Sequence, residues 1–164
     1  MDVEYKIEKG AFLRGRTHDA IMFCIDVLLL SEVPGRLTVI IFNPVEGQDH
    51  QADCIFDGID DYEVRFWNQE LETVMHEMVH VMQSANYELE LYGEGHGYWQ
   101  GKVVKGLTYE TSPWEIEATK LESILVKNFL TLNASPCIIS TLNETTTNKF
   151  REKIYDSNDS KSKR

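Results

Sequence analysis

The chain has 164 residues, 42% of them hydrophobic and 26% charged, with 27 acidic against 16 basic residues and a formal net charge of −11. That length suits one domain around one core, and that balance excludes a disordered or fibrous chain. The acidic excess opposes approach to phosphate backbones and anionic lipid, which sets nucleic acid and membrane surfaces aside as partners.

A short polar opening leads to Thr17, placed to cap a helix over 18–31 that is apolar on nearly every side, as a core helix is. Its run "AIMFCIDVLLL" is interrupted by Asp26 and is too short to cross a bilayer, and it lies too far behind "MDVEYKIEKG" for a secretory signal. A cytoplasmic protein is expected. "VPG" stops the helix, and the β-branched run "RLTVIIFN" reads as a central strand covered on both faces. "QADCIFDGIDDYEVRFW" reads as a strand, a turn at Asp57-Gly58 and a second strand. In that second strand Tyr62, Val64 and Phe66 alternate with Glu63, Arg65 and Trp67, the pattern of a half-exposed edge.

Asn68 is a natural cap for a helix over 69–85, with Glu70 and Glu72 in its first turn where the helix dipole favours negative charge. The Gly- and aromatic-rich stretch over 86–111 reads as a loop entering a hairpin around Trp99–Val104, with Trp99 and Trp114 as packing anchors. Ser112, Pro113 and Glu115 make a capping box for a helix reaching about Leu130. One domain over 1–155 is expected, followed by a frayed polar tail over 156–164. The predicted class is α+β: a mostly antiparallel sheet, a core N-terminal helix, a motif helix and a C-terminal helix. Cys24, Cys54 and Cys137 are far apart in apolar contexts with no CxxC pair, and they read as free buried thiols.

The chemistry concentrates in "VMHEMVHVMQ". Positions four apart stack on one face of a helix, so His76 and His80 can converge on one tetrahedral ion. Glu77, turned by about 100° from His76, can reach a water on that ion without ligating it. Zinc acidifies such a water toward about pH 7, and Glu77 is the base that takes its proton. Leu71, Met75, Met78 and Met82 form the packed stripe of the same helix.

A catalytic zinc normally takes a third protein ligand. The metzincin extension needs Gly at 83 and His at 86, where the chain has Gln83 and Asn86. Downstream stand His96, Glu115 and Glu117. Glu115 has a capping role available, and its face runs on through Thr119 and Glu122, read as solvent-facing. Glu117 shares a stripe with Leu121 and Ile124, and an inward carboxylate needs a partner or a metal. Glu117 is therefore preferred, then Glu115, with His96 last on its glycine-flanked loop. Tyr109 or His96 is the candidate donor to a transition-state oxyanion. His18 and His50 carry no pattern.

HExxH on one helix with Glu117-Ala118 on a later one resembles the gluzincin branch of the zincin-like metallopeptidases. "HEMVHVMQ", "YWQGK" and "YETSPWEIEA" are also similar to small, mostly uncharacterised metallopeptidase-like proteins of phage and bacterial genomes. The resemblance covers about residues 68–125. It implies a zincin-like fold, Zn2+ on His76, His80 and Glu117, and Glu77 as general base. The spacing from His80 to Glu117 is longer than in the thermolysin type. The position four beyond Glu117, an aspartate in that type, is Leu121, so support for a histidine ligand falls to Gln83 or a backbone carbonyl.

The leading expectation is a zinc metallopeptidase acting on a peptide or protein, which adds along "YEVRFW" at the sheet edge. The alternatives are a zincin-shaped binding or structural protein without catalysis, and a zinc amidase acting on cell-wall peptides.

Overall fold

The computed structural model describes residues 1–44, 51–56, 60–93 and 95–134. The Asp57-Gly58 turn, His50, Cys137 and the 156–164 tail lie outside them. The chain divides into two units, Met1–Val126 and Lys127–Arg164. Every described strand belongs to the first. The second is described only over the end of its helix, where Thr131 Oγ1 and Asn133 Nδ2 donate back to the carbonyls of Lys127 and Phe129, each at 2.8 Å. No helix among the described residues is long and apolar enough to cross a membrane.

The elements run β1 (Asp2–Ile7), α1 (Gly15–Val27), β2 (Arg36–Ile41), β3 (Ala52–Phe56), β4 (Asp61–Phe66), α2 (Leu71–Ala85), β5 (Leu89–Gly93), β6 (His96–Trp99), β7 (Lys102–Val104) and α3 (Pro113–Ala134). The class is α+β. β1, β2, β4 and β3 lie side by side in that order, and β5, β6 and β7 form a second, antiparallel sheet. In the larger sheet β1–β2 and β2–β4 pair parallel and only β3 runs antiparallel, against β4. The expectation of a mostly antiparallel sheet therefore holds for the small sheet and is corrected for the large one. The reason is visible in β2, whose Leu37, Thr38, Val39 and Ile41 are all buried, as a parallel strand covered on both faces requires.

Register determines which residues share a face. Tyr5, Val39, Val64 and Cys54 stand opposite one another across the four strands, as do Leu37, Tyr62 and Phe56, and Ile41, Phe66 and Ala52. Ala52, Cys54 and Phe56 of β3 thus continue the buried face of β4. β4 is paired on both sides, so the predicted edge at "YEVRFW" is corrected: its alternation reflects unequal coverage of its two faces. β3 is the edge on that side and β1 the edge on the other, and α2 packs against β3.

β1 falls in what reads as a polar opening, because its exposed Asp2, Glu4 and Lys6 mask the alternation. α1 spans 15–27 rather than 18–31, and it is buried along Thr17, Ala20, Ile21, Cys24 and Ile25 instead of all round. Leu29, at φ 61°, takes the left-handed conformation and turns the chain out of the helix. Thr17 is inside its helix, and Asn68 is not the cap of α2: Glu70 holds that position without a side-chain cap, and Asn68 Oδ1 accepts the Glu70 N–H at 2.9 Å ahead of the helix. α1 packs on α2, with the Cys24 thiol 3.1 Å from Met75 Sδ.

At the entry to β2, Gly35 has φ +104°, and a Cβ there would lie 2.0 Å from the Asp60 carbonyl oxygen. That carbonyl accepts the Arg36 N–H at 2.9 Å, which pins the start of β2 to β4. Gly35→Ala must strain the backbone and open this junction together. We expect a loss of about 2–4 kcal/mol, read as a lower urea midpoint at unchanged m-value.

Candidate metal centre

α2 is amphipathic in sequence, yet nearly every side chain from Val74 to Gln83 is buried. Its Leu71, Met75, Met78 and Met82 stripe faces the core as predicted. The other side, carrying His76, His80 and Gln83, is covered by the first turns of α3 and by the turn before it, where Tyr109 sits.

The two Nε2 atoms of His76 and His80 lie 3.2 Å apart. Glu115 Oε2 is 3.1 Å from the first and 3.4 Å from the second. Two other groups determine how the rings present themselves. His76 Nδ1 is 3.2 Å from Glu122 Oε2, and His80 Nδ1 is 2.8 Å from Gln83 Oε1. A ring that donates through Nδ1 to an oxygen keeps its Nε2 lone pair free. Both free lone pairs then face the Glu115 carboxylate, so three acceptors converge with only the Tyr109 hydroxyl, 3.3 Å from His76 Nε2, as a donor beside them among the described residues. Such a cluster needs a cation or shared protons. His76, His80 and Glu115 form a group able to hold a metal ion.

The charges respond as this geometry requires. Burial alone would lower the His76 pKa, but the hydrogen bond to Glu115, the charges of Glu77 and Glu115 and the bond to Glu122 raise it above its ordinary value. Burial opposes ionisation of Glu115 too, yet its bonds to both imidazoles and their charges hold its pKa down to about 2. Glu77 is buried beside the cluster, and burial raises its pKa against the opposing pull of His80 and His76.

The carboxylate brought to the two imidazoles is that of Glu115, and Glu117 lies outside the group. Glu117 meets α2 one turn further on, where its Oε2 accepts from Gln83 Nε2 at 3.1 Å. The proposed capping box does not form. The Ser112 hydroxyl donates to the Thr108 carbonyl at 2.8 Å, and the box is built by Thr108 and Thr111 around the preceding turn, which frees Glu115 for the imidazoles. His96 is exposed on β6, outside the group. His18 lies elsewhere, its Nδ1 2.9 Å from Tyr5 Oη.

Gln83 is fully buried and also donates to the Trp114 carbonyl at 3.0 Å, which secures the start of α3 against α2. Trp114 is buried with its ring 6.3 Å from that of Trp99, an anchor between α3 and the hairpin as the sequence suggests. Tyr109 is mostly exposed, but its hydroxyl reaches to 3.3 Å from His76 Nε2. Glu122, expected to face solvent, instead meets the His76 ring. Its spacing of seven from Glu115, two turns along one face, was the available signal.

A cavity of ≈ 520 Å³ opens over the cluster and is lined by His76, Glu77, His80, Glu115, Tyr109 and the β3 residues Ala52–Cys54. Cys24 and Cys54 are both free, and burial raises both thiols well above their ordinary range. Comparison of the chain with family models, with curated proteins and with solved structures finds no match.

Proposed function

We propose that the protein is a zinc-dependent metallopeptidase, with His76, His80 and Glu115 as the ligands. The observation that carries this reading is the convergence of those three donors next to a buried Glu77, in a cleft walled by a sheet edge. The donor set fits zinc. Around a tetrahedral zinc with bonds of about 2.0–2.1 Å, neighbouring donors stand about 3.3–3.4 Å apart, and the three separations here are 3.1, 3.2 and 3.4 Å.

When bound, the ion supplies Lewis acidity to an oxygen in its open position. The chain's own residues do the rest. The Glu77 carboxylate takes the proton of the attacking water and returns it to the leaving amine. The Tyr109 hydroxyl stands where it can donate to the carbonyl oxygen as that oxygen gains charge. Among the described residues no strand pairs with the outer side of β3, so that edge can hold an extended peptide by adding a strand. β3 takes the role that the sequence assigned to "YEVRFW".

The test is metal analysis of the purified chain followed by mass spectrometry of a peptide library incubated with it. One zinc per chain with peptide cleavage is expected. Zinc without cleavage would leave a metal-holding binding protein, and cleavage of purified peptidoglycan alone would make it a cell-wall amidase.

A further inference from the structure

A second cavity, of ≈ 670 Å³, adjoins the first, with Cys54, Phe56, Leu89 and Leu91 lining both. Its lining includes the aromatic residues Phe56, Tyr62, Tyr87 and Tyr98 and two acidic residues, Asp60 and Glu90. No lysine, arginine or histidine lines it among the described residues. Phe56 and Tyr62 meet edge to face at 6.1 Å and 80°, which fixes the inner wall. Tyr87 is exposed and held at φ 56°, so it stands at the mouth. Glu90 accepts the Tyr92 hydroxyl at 3.1 Å, and neither Glu90 nor Asp60 forms an ion pair among the described residues. Burial, then the nearby Asp60 charge and then Tyr87, raise the Tyr62 phenol, as expected for groups gathered around one space.

A cavity lined by aromatic and acidic residues, with no ion pair to those acids and no cationic residue among the described residues, suits an alkyl chain that ends in a positive charge. A neutral apolar side chain would leave the carboxylates unused, and an acidic one would be repelled by them. The position is defined by β3: Ala52–Cys54 line the first cavity and Cys54–Phe56 the second. A peptide laid along β3 advances about 3.3 Å per residue, so the second cavity receives a side chain a few residues from the cleaved bond.

We propose that this cavity is a subsite for a lysine or arginine side chain of an extended peptide seated on β3. The proposal rests on the peptidase reading of the neighbouring metal centre.

The probe is a set of end-blocked ten-residue peptides carrying one lysine in an alanine–threonine background. Each is paired with the same peptide bearing Nε-acetyl-lysine. Binding to the zinc-loaded Glu77→Gln chain is measured by calorimetry. At the favoured position the lysine peptide is expected to bind about tenfold tighter than its acetylated partner. Asp60→Asn with Glu90→Gln should erase that difference. Asparagine tolerates the φ of 65° at position 60, so the paired variant keeps the backbone it needs. Equal affinities for the two peptides, or binding of neither, overturn the subsite. The two readings fail separately. Cleavage by the unsubstituted chain without preference for a basic residue removes the subsite and leaves the peptidase. Lysine-dependent binding without any cleavage keeps the subsite and removes the peptidase.

Discussion

Glu115→Ala should weaken zinc binding on the order of a thousandfold, measured by competition with a chromophoric chelator. The reason is direct. Loss of an outer partner of a metal site costs about 10–100-fold, and loss of a donor itself costs more, because two imidazoles and solvent must then satisfy the ion. Glu117→Ala should shift the affinity by less than about tenfold, since its carboxylate touches only the far amide of Gln83 in this cluster. Glu122→Ala and Gln83→Ala should fall between, because each frees one imidazole at Nδ1. The ranking separates the two candidate glutamates without any assay of catalysis. A larger loss from Glu117→Ala than from Glu115→Ala would return the ligand role to Glu117.

The second large effect is on turnover. Glu77→Gln should keep zinc affinity within a few fold and reduce kcat on the order of a thousandfold, the range general-base removal spans. The carboxylate is not one of the three groups placed to hold an ion, so metal binding should persist. Glutamine has nearly the same shape and hydrogen-bonds in its place, but it cannot accept a proton. KM should move little, because the side chain's contribution comes in the transition state. Steady-state kinetics on a peptide found by library cleavage checks both numbers. A Glu77→Gln chain that turns over at the original rate would remove Glu77 from the chemistry.

The motif helix was legible because helical periodicity is local. Two histidines four apart, a glutamate between them and a methionine stripe on the other side need no tertiary information to be placed. The third donor was not legible, because two local readings of one turn competed. Ser112-Pro113-Trp114-Glu115 scores well as a capping box, and the box assigned Glu115 a task it does not have once Thr108 and Thr111 close the preceding turn. The stripe argument failed by one face. Trp114, Ala118, Leu121 and Leu125 are the buried line of α3, so Glu115 and Glu122 flank it beside the histidines and Glu117 flanks it at Gln83.

Strand partnership was opaque for a different reason. Alternation in β4 reports how its two faces differ in coverage. It carries no information on what lies to either side in the sheet, and β1, the partner that makes β2 central, is too polar to announce itself.

Gln83 ties these observations to the behaviour of the molecule. One amide grips an imidazole through its oxygen while its nitrogen grips a carbonyl and a carboxylate at the foot of α3. A slip of that helix by an ångström would break both bonds of the nitrogen together and carry Glu115 off in the same motion. The donor set is therefore assembled or dismantled as one, and the first turn of α3 serves as its latch.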